Sequence, residues 1–279
     1  MEPGRPSLTA LGAAAHRAAH QVLEGGRIFA DPLALRIFGE TAETVAAKAE
    51  ADPDSRRMRI FIALRSRFAE DSLAKAVAGG TRQVVILGAG LDTFAYRDPF
   101  GSVVRVFEVD HPDTQEWKRQ RLAASGIAAP SNLTYAPVDF EQETLAEALP
   151  AAGFDPQAPA FFTWLGVIPY LTEASIFATL GEIAGFPGGA EIVFDYGEPP
   201  ETLAPELRAA LERRAARVAA LGERWITFFE PASLAERLHA LGFATIEDLS
   251  PADLIARYVP GAPFRAPSRG GHMVRAATR

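Results

Sequence analysis

One stretch constrains this fold more than any other: Gln83–Arg97, which reads Q-V-V-I-L-G-A-G-L-D-T-F-A-Y-R. Val84–Leu87 is a short, unbroken apolar run rich in β-branched residues, the pattern of a strand buried on both faces. It stops at Gly88-Ala89-Gly90. Glycine permits a tight turn and the close approach of another group. A buried strand that ends in a glycine turn marks the crevice where open α/β sheets take nucleotide-like ligands. Thr93 stands where a dinucleotide fingerprint has its third glycine, which argues against a nicotinamide cofactor.

The next strand, Val103–Val109, runs into Asp110, about 20 residues beyond the glycines, where an acid can accept hydrogen bonds from ribose hydroxyls. Asp110 could equally cap the helix that follows, because His111-Pro112 suits a first helical turn. A helix over 112–124 is expected, with Trp117 and Leu122 inward and Lys118, Arg119 and Arg121 on a solvated face. The third strand, 132–138, ends in Asp139-Phe140, a pair able to meet the amine and ring of adenine; alternatively, Asp139 caps a helix over 141–149. The fourth strand, 158–164, delivers Trp164 and Leu165 to the crevice with Tyr170 nearby, although both aromatics would also suit a core. Thr172 caps the helix after it, and a fifth strand spans 190–196.

Ahead of the glycine stretch, residues 54–78 form one long helix with Phe61, Leu64, Phe68 and Ser72 on a single face. Arg65 sits on that apolar face and Arg67 on its flank. A guanidinium there calls for an anion, either a ligand carboxylate or Glu70 or Asp71, unless the side chain snorkels to solvent. Residues 1–55 are Ala-rich and helical, with a turn and short helix at Arg27–Ala34 in which Asp31 is the N-cap. This leading region could cover the mouth of the core.

Residues 201–221 interrupt the β/α alternation as an arginine-rich helical cap. A helix over 231–241, a sixth strand over 244–249 and a closing strand over 272–276 follow, and the short link between these strands implies one antiparallel strand at a sheet edge. The expected fold class is α/β: a Rossmann-like, mostly parallel seven-stranded sheet with helices on both faces and a helical cap. Its parts are an N-terminal helical extension (1–80), a cofactor-binding core (81–198), the cap (199–225) and the C-terminal part of the core (226–279).

The net charge of −7 argues against nucleic-acid binding. No apolar run reaches membrane-span length and no leader pattern opens the chain, so a cytoplasmic protein without a membrane partner is expected. With no cysteine there are no disulfides and no thiolate ligands, and no metal site is expected.

Taken in order, Arg27–Ala34, Arg65-Ser66-Arg67, Leu87–Arg97, Phe107–Pro112, Val138-Asp139-Phe140, Leu165–Leu171 and Gly270–Ala276 resemble the class I S-adenosylmethionine-dependent methyltransferases. The similarity is greatest to the leucine carboxyl methyltransferase-like family in its bacterial branch. The resemblance implies S-adenosyl-L-methionine as cofactor. Arg65 would hold the methionine carboxylate, Gly88 and Gly90 the methionine moiety, and Asp110 the ribose. Asp139 and Phe140 would flank the adenine, with Trp164 beside them at the crevice.

Leu165 departs from the family, many members of which carry an acid there. The implied activity is O-methylation of a small-molecule acceptor. His111, Tyr170 and Tyr196 are positioned as possible bases, but each suits a structural role better. The rival readings are a nicotinamide-dependent oxidoreductase, which would want a third glycine and a Tyr-x-x-x-Lys set, and a non-catalytic binding protein.

Overall fold

A computed structural model describes residues 8–52, 54–97, 99–138, 144–262 and 265–279. Its centre is a seven-stranded sheet in the order β3-β2-β1-β4-β5-β7-β6. The strands are β1 (Gln83–Leu87), β2 (Arg105–Asp110), β3 (Leu133–Pro137), β4 (Ala160–Trp164), β5 (Ala190–Gly197), β6 (Thr245–Leu249) and β7 (Gly271–Ala277). β1 pairs in parallel with both β2 and β4, and β7 is antiparallel to both β5 and β6. The antiparallel strand is therefore at the expected end of the sheet, one place in from the edge, which β6 occupies. Only that placement lets the short 259–270 link bring the chain back beside β5 over seven register pairs, from Glu191↔Ala277 to Gly197↔Gly271.

The helices are α1 (Leu8–Leu23), α2 (Ala34–Phe38), α3 (Ala42–Ala51), α4 (Ser55–Ala78), α5 (Phe94–Arg97), α6 (Pro112–Ala124), α7 (Leu145–Ala151), α8 (Glu173–Ala184), α9 (Pro205–Ala220), α10 (Pro231–Ala240) and α11 (Pro251–Tyr258). α6 has the boundaries expected of it, with Pro112 at its first turn, and Thr172 caps α8 by accepting the Ser175 N–H. Among the described residues no helix is long and apolar enough to cross a membrane.

Alternate residues of each buried strand feed two cores. On one face Val85, Leu87, Phe107, Phe162, Trp164 and Phe194 pack with α7, α8 and α10. On the other, Val84, Ile86, Val106, Phe161 and Val193 pack with α4 through Leu64, Phe68 and Leu73. α1, α2 and α3 build a third cluster that borrows Leu91 from the glycine loop and Leu122 from α6.

Two local expectations are corrected. Lys118 is not on a solvated face: its side chain is 1% exposed and its Nζ lies 2.8 Å from Glu108 Oε2. Glu108 points from β2 into the layer beneath α6, and a carboxylate buried there draws the cation in. Asp31 does not directly cap a helix, since α2 begins at Ala34 behind Leu33. Its carboxylate instead accepts the Leu33 N–H and the Thr93 hydroxyl and pairs with Arg17 at 3.2 Å.

Burial pushes the Glu108 carboxyl up to about 7, against the pull of Lys118. Removing one member of a buried pair strands the other. Lys118→Met should therefore cost about 3–5 kcal/mol in urea unfolding. Adding Glu108→Gln to that variant should recover most of the loss.

Candidate functional site

The sheet order reverses between β1 and β4, so the strands on either side lead their loops away in opposite directions and leave a crevice at their C-terminal ends. The ends of β1, β2, β4 and β5 there carry Gly88, Asp110, Leu165 and Asp195.

Gly88 and Gly90 have φ of +62° and +44°, a region closed to most side chains. A Cβ on Gly88 would lie 2.5 Å from Val167 Cγ2, and one on Gly90 3.0 Å from the Ala10 Cβ. Both glycines are thus required by conformation and by contact. The contacts also show that α1 and the 165–171 loop lie directly over the turn, as a covering N-terminal region would. Arg17 of α1 reinforces this cover by donating to the Leu91 carbonyl at 2.5 Å.

Asp110 ties the turn to the neighbouring strand. Its Oδ2 accepts the Gly90 N–H at 2.6 Å and its Oδ1 accepts the His111 N–H at 2.7 Å. Burial pushes its carboxyl up, and these two bonds hold it down. Each oxygen keeps a lone pair for a ligand hydroxyl. The helix-capping reading places the cap elsewhere: His111 Nδ1 accepts the Asp113 N–H at α6.

Arg65 is partly buried on α4 and reaches neither Glu70 nor Asp71. Glu70 pairs with Arg97, and Asp71 with the exposed Arg67 at 2.9 Å. The partner of Arg65 is Asp195, at 3.3 Å from Nη1. Asp195 is 5% exposed, and its other oxygen accepts the Gly166 N–H at 2.6 Å. The guanidinium lies flat on Gly166, where a Cβ would stand 2.7 Å from Nη1. Arg65 Nε is buried and has no acceptor among the described residues, so one of its donors is unused by the protein.

Sequence reasoning missed Asp195. Its one signal was an acid at the end of a buried strand. In space it brings a carboxylate to the 165–167 loop, where Leu165 has none.

Trp164 is 3% exposed and belongs to the apolar cluster that holds Phe162 and Phe194, with Val167 of the following loop packed against it. Strand alternation explains this: Leu165, one residue later, packs on the opposite side beside α4. Asp139 and Phe140 lie outside the described residues. Tyr196 donates to Asp248 Oδ2 at 2.7 Å and is buried, and His111 is the α6 cap; both are structural. Tyr170 lies against Trp225 and Thr9, and burial raises its hydroxyl, which keeps it a donor at neutral pH.

A histidine that the sequence did not single out faces this region. His16 of α1 lies within electrostatic reach of Asp52, Arg59, Arg65 and Arg214. Burial lowers it to about 4, and the three arginines add to that against the pull of Asp52.

The comparisons with known proteins agree with this layout. The sequence model for leucine carboxyl methyltransferase matches residues 10–184. The chain belongs to that family. The protein named "Putative S-adenosyl-L-methionine-dependent methyltransferase YktD" of Bacillus subtilis is 34% identical over 194 residues, covering 68% of this chain and 63% of that protein. A protein of the same name, without the YktD designation, from Saccharopolyspora erythraea is 36% identical over 183 residues, covering 63% of each. The chain thus spans a little under two thirds of the length of these two relatives.

Among solved structures, a family protein from Streptomyces avermitilis aligns with a TM-score of 0.59 at 16% identity, over 95% of this chain and 97% of that one. Magnesium protoporphyrin IX methyltransferase from Synechocystis, with bound SAH, aligns at 0.50 and 13% identity, over 96% of this chain and all of that one. At such identities the likeness establishes the shared sheet.

Two outcomes are expected from this geometry. Asp195→Asn should loosen Arg65, seen as faster hydrogen exchange at the Gly166 amide. The depressed pKa of His16 contributes stability that is full above the unfolded value of 6.5 and is lost as pH falls toward about 4. Denaturant unfolding from pH 7 to 4 should therefore steepen in the wild type and flatten over that window in His16→Gln.

Proposed function

We propose that this protein is an S-adenosyl-L-methionine-dependent methyltransferase that methylates an oxygen of a small-molecule acceptor. One observation carries the reading. At the reversal point of a sheet shared with methyltransferases, Asp110 braces the glycine turn, and Arg65, paired with Asp195 from the end of β5, keeps one donor without an acceptor. The names of the relatives and the SAH in the Synechocystis structure support the cofactor, and the family's carboxyl-directed description supports oxygen. The net charge of −7 favours a small acceptor over nucleic acid.

The residues present suit this cofactor. Arg65 holds its carboxylate through the unused donor, with Asp195 fixing the guanidinium at Nη1. Asp110 accepts from the ribose hydroxyls through its remaining lone pairs. Gly88 and Gly90 bring bare backbone to the methionine chain. By family resemblance Asp139 and Phe140 take the adenine, with Trp164 at the end of β4 beside the crevice. Val167 and Ala10 lie against the glycines and so border the place where the methionine chain would pass.

When bound, the cofactor supplies a methyl group already activated by its sulfonium. The protein's share is then alignment and exclusion of water, a positioning effect with an upper range of about 7–11 kcal/mol. Neither Tyr196 nor His111 is free to remove a proton, which suits an acceptor oxygen that is already ionised.

Calorimetry with S-adenosylmethionine, S-adenosylhomocysteine and NAD tests the reading against its rivals. Both nucleosides should bind and NAD should not. A charged hydrogen bond is worth about 1.5–3 kcal/mol, so Arg65→Ala should weaken nucleoside binding by about 10- to 100-fold. The exposed Arg67→Ala should leave it unchanged. Binding of NAD alone would support an oxidoreductase, and binding of none of the three would leave a non-catalytic module.

A further inference from the structure

The methionine tail of the cofactor carries two charges on one carbon, a carboxylate and an ammonium. Arg65 accounts for the first, and no residue described above accounts for the second. An ammonium set down beside a guanidinium is repelled unless an anion lies close to both. A crevice that takes this tail therefore needs an acid next to Arg65.

Most acids around the crevice are committed elsewhere. Glu70 is held by both prongs of Arg97, and Asp71 by the exposed Arg67 at 2.9 Å. One oxygen of Asp92 accepts the Phe94 N–H at 2.7 Å where α5 begins. Glu198, past the end of β5, accepts the Gly270 N–H and pairs with Arg269 and His272. Asp110 holds the Gly90 and His111 amides and is assigned to the ribose. Residues 164–171 contain no acid.

Among the described residues, Asp195 is the acid that touches Arg65, with 3.3 Å between Oδ2 and Nη1. Its Oδ1 accepts the Gly166 N–H at 2.6 Å. Each oxygen thus makes one described contact, and a carboxylate has about four acceptor sites in all. The surroundings border the place where the tail would pass. Gly166 is followed by Val167, whose Cγ2 would meet a Cβ on Gly88 at 2.5 Å, and a Cβ on Gly166 would stand 2.7 Å from Arg65 Nη1. From β5 to β1 the contacts run Asp195, Gly166, Val167, Gly88, with Arg65 against Gly166. A cation and an anion side by side at this point offer an amino-acid group the charges opposite to its own. Asp195 is 5% exposed, so water does little to weaken a charged contact made there.

We propose that Asp195 accepts hydrogen bonds from the α-ammonium of the cofactor, so that Arg65 and Asp195 together read both charges of its amino-acid group. The assignment rests on the methyltransferase reading and adds a specificity residue to it. The pair selects nucleosides with an intact amino-acid tail over those that have lost either charge.

Calorimetry on the full chain tests this with adenosyl thioethers, all lacking the sulfonium. They are S-adenosylhomocysteine, its desamino analogue (carboxylate only), its decarboxy analogue (ammonium only) and 5′-methylthioadenosine (neither). In the wild type, S-adenosylhomocysteine should bind about tenfold or more tightly than the desamino compound, the worth of one charged hydrogen bond. The decarboxy compound should bind more tightly than 5′-methylthioadenosine. Asp195→Asn should weaken S-adenosylhomocysteine and the decarboxy compound alike, by about tenfold, and change the desamino compound far less. Arg65→Ala should do the reverse, weakening the desamino compound and sparing the decarboxy one.

The decarboxy compound separates direct contact from mere support of Arg65, because it has no carboxylate for Arg65 to hold. If Asp195→Asn leaves its affinity unchanged while weakening the desamino compound, Asp195 acts only through Arg65 and the proposal fails. It fails too if an amine-specific loss appears in Asp92→Asn and not in Asp195→Asn. The wild-type ranking needs no variant to fold, and it alone sinks the proposal if the ammonium adds nothing. The S-adenosylhomocysteine titration of the wild type is read first: no binding removes the methyltransferase reading, whereas binding without amine preference removes only the role of Asp195.

Discussion

The bond between the Asp110 carboxylate and the Gly90 N–H, 2.6 Å long, is the contact on which the crevice depends. It joins the ends of two adjacent parallel strands at the one place where the chain must leave the sheet. Without it the turn after β1 would have a free amide, and the left-handed glycines would be anchored only by sterics. With it, a ligand-facing carboxylate is fixed in orientation by backbone donors before any ligand arrives. The same bond explains why an acid about 20 residues beyond a glycine turn is informative: spacing along the chain becomes contact across two strands.

A second set of contacts places the N-terminal helices over this turn. Asp31, almost wholly buried, accepts from Thr93 at 2.7 Å and pairs with Arg17 at 3.2 Å and Arg97 at 3.6 Å. One acid thus joins the α1–α2 corner to both ends of the segment after the glycines. A buried carboxylate is tolerable only when its oxygens are satisfied this fully. Thr93, which counted against a dinucleotide fingerprint, has a positive role here: its hydroxyl needs a partner, and Asp31 supplies it. α1 is therefore held to the core by directional bonds as well as by the small, Ala-lined cluster beneath it.

The legible part of this structure was the part governed by near neighbours in sequence. The succession of strands and helices follows from alternation of apolar runs with helical periods, Pro112 suits the first turn of α6, and Thr172 sets the start of α8 through a bond that spans three residues. What was illegible depended on partners far along the chain. Lys118 looked like a solvated cation because periodicity cannot report that Glu108 lies buried beneath it. Arg65 was rightly placed on an apolar face, yet its partner is 130 residues away, beyond the two acids its own helix offered. Trp164 and Leu165 show a sharper limit: successive residues feed the apolar layers on opposite sides of the sheet, and composition alone does not fix that parity.

The Arg65–Asp195 pair also bears on the departure at Leu165. A carboxylate on the 165–167 loop would have to be oriented by that loop's own backbone. Asp195 stands on β5, a strand hydrogen-bonded on both sides, and reaches the loop from a rigid base, accepting the Gly166 N–H while pairing with Arg65. Rigid elements hold a site more closely than loops do. The apolar Leu165 is then free to pack beside α4, and the loop needs only Gly166, at φ +72°, to let the guanidinium lie against it. Arg65 thus takes its protein carboxylate from a strand, while the loop itself offers only the Gly166 N–H to the same acid.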